Sequence, residues 1–242
     1  MIHVYLVDTN SNLCKEWKKE FASILSDKNI NPNIKYSIHN STLQDHLINY
    51  KSDSIVSPAN SFGIMDGGVD YYISQYYGGT KNFIPFIRKA LDDEFCGIQN
   101  IGTSFIIDLI EYLYKNNLNN ENYKYYPRYL IHTPTMRTPS LIKNKSDIIY
   151  SCIWSILCSL RKHNTNLKNN INSVIITGLG TGAGGVDEIY CAKQMSLAFK
   201  HFINSPYNFN DPNIDEEKYK HNWIYAQQIQ KEIDDLIENN IE

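Results

Sequence analysis

Ser54-Ile55-Val56-Ser57-Pro58-Ala59-Asn60-Ser61-Phe62-Gly63-Ile64-Met65-Asp66-Gly67-Gly68-Val69-Asp70 decides how this chain folds. An apolar run ends in a Pro/Asn/Ser turn, passes through paired glycines and enters an aromatic segment with helical spacing. That order reads as strand, loop, helix. Glycines at the loop let a ligand approach the backbone, and a helix start offers unpaired amides to an anion. A second such unit lies late in the chain. Val174-Ile175-Ile176-Thr177 reads as a strand, and Gly178-Leu179-Gly180-Thr181-Gly182-Ala183-Gly184-Gly185-Val186 follows it. Two glycine loops on one domain suggest a phosphate group held from both sides.

The segments around these loops alternate between the two periods. Val4–Val7, Ile34–Ile38, Ser104–Asp108 and Arg128–Thr133 read as further strands. Leu13, Trp17, Phe21, Ile24 and Leu25 recur at helical spacing, as do Phe83, Ile84, Ile87 and Leu91. Val69–Tyr77 and a short piece carrying Leu43, Leu47 and Ile48 also read as helices. Ser146 is the expected N-cap of a helix bearing Ile149, Ile153, Ile156, Leu157 and Leu160, and Asp187 that of a helix bearing Cys191, Met195 and Phe199. Tyr114–Tyr126 is polar and Asn-rich and reads as a surface loop. Such alternation predicts a three-layer α/β domain with a largely parallel or mixed sheet, whose ligands sit beyond the carboxyl ends of the strands. Both glycine loops fall at such ends. After Pro206 the chain is polar, and Ala226, Ile229, Ile233, Leu236 and Ile237 outline one amphipathic helix. It packs either on the domain or on a second copy.

With 242 residues the chain can bury one substantial core. Its 23 basic and 26 acidic residues leave a net charge of −3 with no basic block, so bulk attraction to nucleic acid or to an anionic membrane is not expected. Backbone amides can still hold a compact anion. The five cysteines form no CxxC and are expected as reduced thiols. The seven histidines are scattered without metal-ligand spacing, so no metal is expected; His132, on a buried strand, reads as a core histidine. No apolar stretch approaches the roughly 20 residues of a membrane span. The N-terminus lacks the features of a secretory signal, so the expected location is intracellular, cytoplasmic or nuclear.

Together the loops resemble those of the macrodomain family. There the first loop runs Asn-Ala-Ala-Asn-Ser, a spacer, then Gly-Gly-Gly-Val-Asp; here it is Ser57-Pro58-Ala59-Asn60-Ser61, then Asp66-Gly67-Gly68-Val69-Asp70. The second loop there runs Ser-Thr-Gly-x-aromatic-Gly, and Gly180-Thr181-Gly182-Ala183-Gly184-Gly185 occupies its place. Ile131-His132-Thr133 looks like the family's Ile-His-Thr strand. Leu6-Val7-Asp8-Thr9-Asn10 and the Pro134-Thr135 turn are similar to the branch classed as ADP-ribose-1″-phosphate phosphatases.

The resemblance implies a three-layer α/β/α macrodomain-like fold with a central mixed sheet over residues 1–203, and leaves 204–242 as a polar tail ending in a helix. It implies ADP-ribose, or a phosphorylated or acylated derivative, as ligand, with no cofactor. Asp8, Ser57, Asn60, Gly67, Gly68, Val69, Thr181, Gly182, Ala183, Gly184, Gly185 and Val186 are then the ligand-binding candidates. The implied reaction is hydrolysis of ADP-ribose 1″-phosphate, with Asn60 orienting the distal ribose and Asp70 or Asp66 serving the attacking water. A non-catalytic ADP-ribose reader, and a hydrolase releasing ADP-ribose from proteins or acetate from O-acetyl-ADP-ribose, are the alternatives. The family's adenine-binding Asp has no counterpart near Ile38–Thr42, which leaves Asn40 or Asp8 to meet the base. Asn60 is also a good turn former on its own account.

Overall fold

The computed structural model describes residues 2–25, 34–118, 125–143, 146–165, 169–204 and 216–238. Six strands form one sheet: β1 (Ile2–Asp8), β2 (Ile34–Asn40), β3 (Ser54–Ser57), β4 (Phe105–Asp108), β5 (Tyr129–His132) and β6 (Ser173–Ile176). Their spatial order is β2-β1-β6-β3-β5-β4. The first five in that order run parallel, and β4 closes the edge antiparallel to β5. The expected mixed sheet is therefore present. Because the parallel strands share one direction, Asp8, Asn40, Ser57, His132 and Ile176 all end at one edge.

Successive side chains on a strand point to opposite faces, and both faces here are apolar. Leu6, Val56, Ile131, Val174 and Ile176 face one helical layer; Val7, Ile55, Leu130 and Ile175 face the other. The first layer holds α1 (Ser11–Leu25), α6 (Ile148–Asn164) and α7 (Glu188–Ile203), anchored by Leu13, Trp17, Phe21, Ile153 and Met195. The second holds α2 (Leu43–Asn49), α3 (Gly68–Tyr76), α4 (Thr80–Phe95) and α5 (Ile110–Lys115), anchored by Leu47, Ile73, Tyr77, Phe83, Ile87 and Tyr112. Each fully buried side chain of this size stabilises the fold by about 1.5–3 kcal/mol relative to exposure.

The helix starts follow the capping chemistry of the sequence. The Asn10 carboxamide accepts from the amides of Asn12 and Leu13, Thr42 accepts from the Asp45 amide, and Asp187 accepts from those of Ile189 and Tyr190. Ser146 departs from its expected role. Asp147 takes the cap position of α6, while the Ser146 hydroxyl accepts from the Ile148 amide at 3.2 Å. Ile48 is also displaced from expectation: it is 73% exposed, and Leu47 alone of that pair enters the core. Helix α5 lies just before the Asn-rich segment, so Tyr114 and Lys115 are helical rather than loop; residues 119–124 of that segment lie outside the described residues.

Helix α8 (Glu216–Glu238) packs on the domain against α7. Ile233 is buried in the first layer's core, with Ile229 and Ile237 beside it. Lys200 and His201 of α7 meet the Glu232 carboxylate at 2.8 and 3.1 Å. The polar stretch 205–215 before this helix lies outside the described residues. No helix among the described residues is long and apolar enough to cross a membrane.

Candidate functional site

Beyond Ser57 the chain keeps company with the continuation of β5. Thr133 donates to the Ser57 carbonyl, Ala59 to Thr133, and Thr135 to Ala59. This ribbon holds Asn60 in place, and Asn60 turns inward. Its Oδ1 accepts from the amides of Phe62 and Ile64, and its Nδ2 donates to the Ile64 carbonyl at 2.7 Å. Only 7% of the residue is exposed. Three of the four hydrogen-bonding valences of the carboxamide are thus spent on the loop itself.

Past that turn, Asp66, Gly67 and Gly68 are exposed. Gly67 caps α3 without a side chain, and Tyr71 makes the first helical bond back to it. The amides of Gly68, Val69 and Asp70 have no acceptor among the described residues, as expected of a helix start. Gly68 adopts φ +57°, a conformation that favours glycine, while a Cβ at Gly67 would meet open space. Asp70 points the other way. It is 6% exposed, and the Ser57 hydroxyl donates to its Oδ1 at 2.6 Å. Burial pushes the Asp70 carboxyl up to about 7, with the Ser57 hydrogen bond pulling it back.

The second loop is folded on itself. Val186 donates to the Gly180 carbonyl, Gly185 to Gly182, and Ile142 to Gly184. A Cβ at Gly184 would stand 2.4 Å from the Gly180 oxygen, so closure of this loop requires glycine there. The amides of Thr181, Gly182, Ala183 and Gly184 have no acceptor among the described residues, and Gly182 and Ala183 are exposed. Of the predicted candidates, then, Thr181, Gly182 and Ala183 present free amides, Gly184 is buried, and the amides of Gly185 and Val186 are used internally. Asp8 fastens the base of this loop: one carboxylate oxygen accepts from the Gly178 amide at 3.0 Å and the other from Asn10 at 2.9 Å. The Asn40 carboxamide donates to the Asp8 carbonyl.

Strands β6 and β3 are neighbours, so both loops leave the same edge side by side. Next to them lies a cavity of about 460 Å³ between the ends of β1, β3 and β6 and the helices α2 and α3. Val69 from the first loop, Thr177 at the root of the second, and Asp8 all line it. Tyr72, Tyr76 and Tyr77 form an aromatic wall. The phenols of Tyr76 and Tyr77 donate to the carbonyls of Tyr125 and Pro127, and the buried Tyr77 ring stacks on Phe83. Asn60, Ser57, Asp66, Asp70, the glycines and the remaining second-loop candidates are not part of that lining.

Two hydroxyls at the cavity escaped sequence reading. Ser41 and Thr177 line it, and the oxygen of each is buried without a hydrogen-bond partner among the described residues. Thr177 reads in sequence as an ordinary strand residue; its place just before Gly178 was the available signal. The histidines also behave unexpectedly. His39 and His46 have ring centroids 4.8 Å apart, and Tyr5 stacks on His3 while meeting His39 and His46 edge-on. Residues scattered along the chain thus share one cluster. No group of three or more His, Cys, Asp or Glu side chains placed to hold a metal ion occurs among the described residues. His132 is a core residue whose Nδ1 lies 2.7 Å from Gln99 Oε1, and burial drives its pKa down to about 3.

A family model described as a macro-like domain matches residues 1–206. Among solved structures, the macrodomain of Mycobacterium tuberculosis DarG is 21% identical and aligns with a TM-score of 0.47, covering 65% of this chain and 88% of its own. The Oceanobacillus iheyensis macrodomain with ADP is 16% identical with a TM-score of 0.48, covering 77% of this chain and 88% of its own. The Trypanosoma brucei macrodomain in complex with ADP is 20% identical with a TM-score of 0.42, covering 80% and 75%.

Proposed function

This chain belongs to the macro-like domain family, and from that premise we propose that the edge carrying its two loops binds ADP-ribose or a phosphorylated or acylated derivative. One observation carries the reading. Unpartnered amides at Gly68 and Val69 and at Thr181–Ala183 lie on the two loops that follow adjacent strands, and Val69 and the root of the second loop line the neighbouring cavity. Amides of this kind bind a diphosphate without cationic side chains or metal. A cavity of about 460 Å³ falls within the roughly 300–1,000 Å³ typical of small-ligand sites, and tyrosines among its largely apolar lining suit a nucleoside.

The reaction that fits this arrangement is hydrolysis of ADP-ribose 1″-phosphate. Asp66 is the exposed carboxylate of the first loop and takes a proton from the attacking water. The water oxygen bonds to phosphorus, the bond from phosphorus to O1″ breaks, and the proton passes to O1″. Free amides offset the charge that develops on the phosphoryl oxygens. Asp70, buried and bonded to Ser57, acts by holding the start of α3.

A second reading, a non-catalytic ADP-ribose reader, is favoured by a different observation. Three of the four hydrogen-bonding valences of Asn60 and one carboxyl oxygen of Asp70 are engaged within the protein. Turnover separates the two. Calorimetric binding of ADP-ribose is measured alongside phosphate release from ADP-ribose 1″-phosphate. Release of ADP-ribose from a modified acidic peptide and of acetate from O-acetyl-ADP-ribose complete the comparison. Phosphate release above the uncatalysed rate supports the phosphatase. Product from either other substrate assigns the site to that hydrolysis, and binding without any product assigns the reader. Absence of binding refutes the ligand class.

A further inference from the structure

Helix α2 buries only two side chains, His46 and Leu47. The same helix, with the turn before it, supplies Ser41, Thr42, Leu43, Gln44 and Leu47 to the cavity. We propose that α2 is an acid-released wall: protons taken up by the imidazoles between it and the sheet undock the helix and weaken the hold on ADP-ribose. The loss of affinity, unlike the undocking, rests on the ligand reading above.

The contact between α2 and the sheet cannot accommodate a cation. His46 is 1% exposed, and neither of its ring nitrogens nor His39 Nε2 has a hydrogen-bond partner among the described residues. The two ring centroids stand 4.8 Å apart. Tyr5 of β1 meets His46 edge-on at 4.9 Å, and Tyr50 stacks on it at 5.0 Å. His3 stacks in turn on Tyr5 at 4.1 Å. An imidazolium carries two N–H donors and, once buried, needs an acceptor or an anion. The charged and titratable groups around the cluster bring no anion to His46. His39 of β2 and His3 of β1 act on it, and Lys35 of β2 acts on His3, each opposing a further positive charge. Asp53 acts on Tyr5. Asp45, beside His46 on α2, is exposed and takes the Thr42 hydroxyl at 2.7 Å. Release of the helix returns His46 to water, where histidine titrates near 6.5, whereas burial holds the docked ring near 4. The undocked form therefore binds the extra proton, and docking weakens as pH falls from 6.5 towards 4.

Hydrogen exchange of the full chain reads the docking. Corrected for the intrinsic pH dependence of exchange, protection of the α2 amides should fall about 20-fold between pH 7 and pH 5. It should stay below the protection of β6 at both values, which marks local release rather than global unfolding. In His46→Phe the fall should be less than about fivefold. Calorimetry at the two pH values reads the consequence. ADP-ribose should bind the parent at least about threefold more weakly at pH 5, and the variant within about twofold of its pH 7 value. Titration of the ligand itself is common to both proteins and cancels. His46→Leu serves the same purpose if His46→Phe does not fold. Protection of α2 that holds in the parent, equals that of β6, or falls equally in the variant overturns the proposal. Protection that falls while affinity holds also overturns it, since α2 is then no wall of the ligand site, and leaves the ligand class standing. If ADP-ribose does not bind at pH 7, the ligand class itself fails, and acid release of the ligand with it.

Discussion

The Ser57 hydroxyl donates to Asp70 Oδ1 across 2.6 Å, joining the last residue of β3 to the first turn of α3. Both residues are buried. The loop between them, with Asn60, Asp66 and the two glycines, is therefore clamped at its two ends. The clamp orients the free amides of Gly68 and Val69 without either residue needing to touch a ligand. It also buries a carboxyl, and that has a measurable cost.

Asp70→Asn tests the cost. The folded carboxyl sits near 7 and the unfolded one near 3.8, so between those values the folded state holds the extra proton. Stability therefore falls as pH rises through that window, by an amount on the order of 4 kcal/mol. Asparagine does not titrate and can still accept from Ser57. Urea unfolding at pH 5 and pH 8 should show the parent losing stability on going to pH 8 and the variant losing little. Equal losses in both proteins would falsify the assignment of a raised carboxyl.

Gly67→Glu probes the diphosphate position. Gly67 is exposed, has ordinary backbone geometry and leaves open space for a Cβ. A glutamate there brings negative charge beside the free amides and should weaken ADP-ribose binding by at least tenfold, with a thermal midpoint within about 2 °C of the parent. Gly68 is a poorer probe, because its φ of +57° adds about 1–2 kcal/mol of strain to any side chain. Undiminished calorimetric affinity in Gly67→Glu would move the phosphates elsewhere.

Asp66→Asn separates chemistry from binding. If the exposed carboxylate takes the proton from water, the turnover number for phosphate release drops about 10²-fold or more, while ADP-ribose affinity holds or improves as a negative charge leaves. Parallel losses in both quantities would reassign Asp66 to ligand positioning.

His46→Phe addresses the histidine cluster. Both ring nitrogens of His46 are buried without hydrogen-bond partners among the described residues, and His39, His3, Tyr5 and Tyr50 surround it. Burial, with the two nearby histidines, lowers its pKa to about 4. The unfolded chain therefore binds the extra proton between pH 6.5 and 4, and stability is lost as pH falls through that range. Phenylalanine fills the ring volume without titrating. The variant should match or exceed the parent at pH 7, and its advantage should grow towards pH 4 in denaturant midpoints. A constant difference at all pH values would exclude His46 as the source of acid sensitivity.

Glu232→Gln tests how α8 is held. Burial works against the Glu232 carboxylate, but hydrogen bonds from Lys200, Gln228 and His201 outweigh it and hold its pKa near 2. A depressed carboxyl contributes above its unfolded value of about 4.5, and the contribution fades as pH falls towards 2. The variant should be cut faster by protease within residues 216–238 at neutral pH, while the thermal midpoint of the domain shifts by only about 2 °C. Unchanged cleavage would leave the apolar contacts of Ile229, Ile233 and Ile237 as the attachment.

Much of the architecture can be read along the chain because it is locally encoded. Leu13, Trp17 and Phe21 recur at helical spacing and lie on one buried face; Val56 and Ile55 split between the two faces of the sheet, as neighbours on a strand must. The caps at Asn10, Thr42 and Asp187 involve residues two or three positions apart. Short range is also why both glycine loops stand out. The misreadings came where local signals are weak. Helix α5 has only six residues, and the exposed Ile48 carries the same apolar signal as its buried neighbour Leu47.

The alternating elements, the two glycine loops and the lack of any basic block are written in the residues as they follow one another. How the polar side chains are used depends on the folded chain. Asp8 finds its partner 170 residues away at Gly178, Ser57 takes Asp70, and the hydroxyls of Ser41 and Thr177 come to one cavity. The reason is that a polar group bonds to whatever the strand order sets beside it. The order β2-β1-β6-β3-β5-β4 is settled by packing two apolar faces at once, which no local stretch encodes.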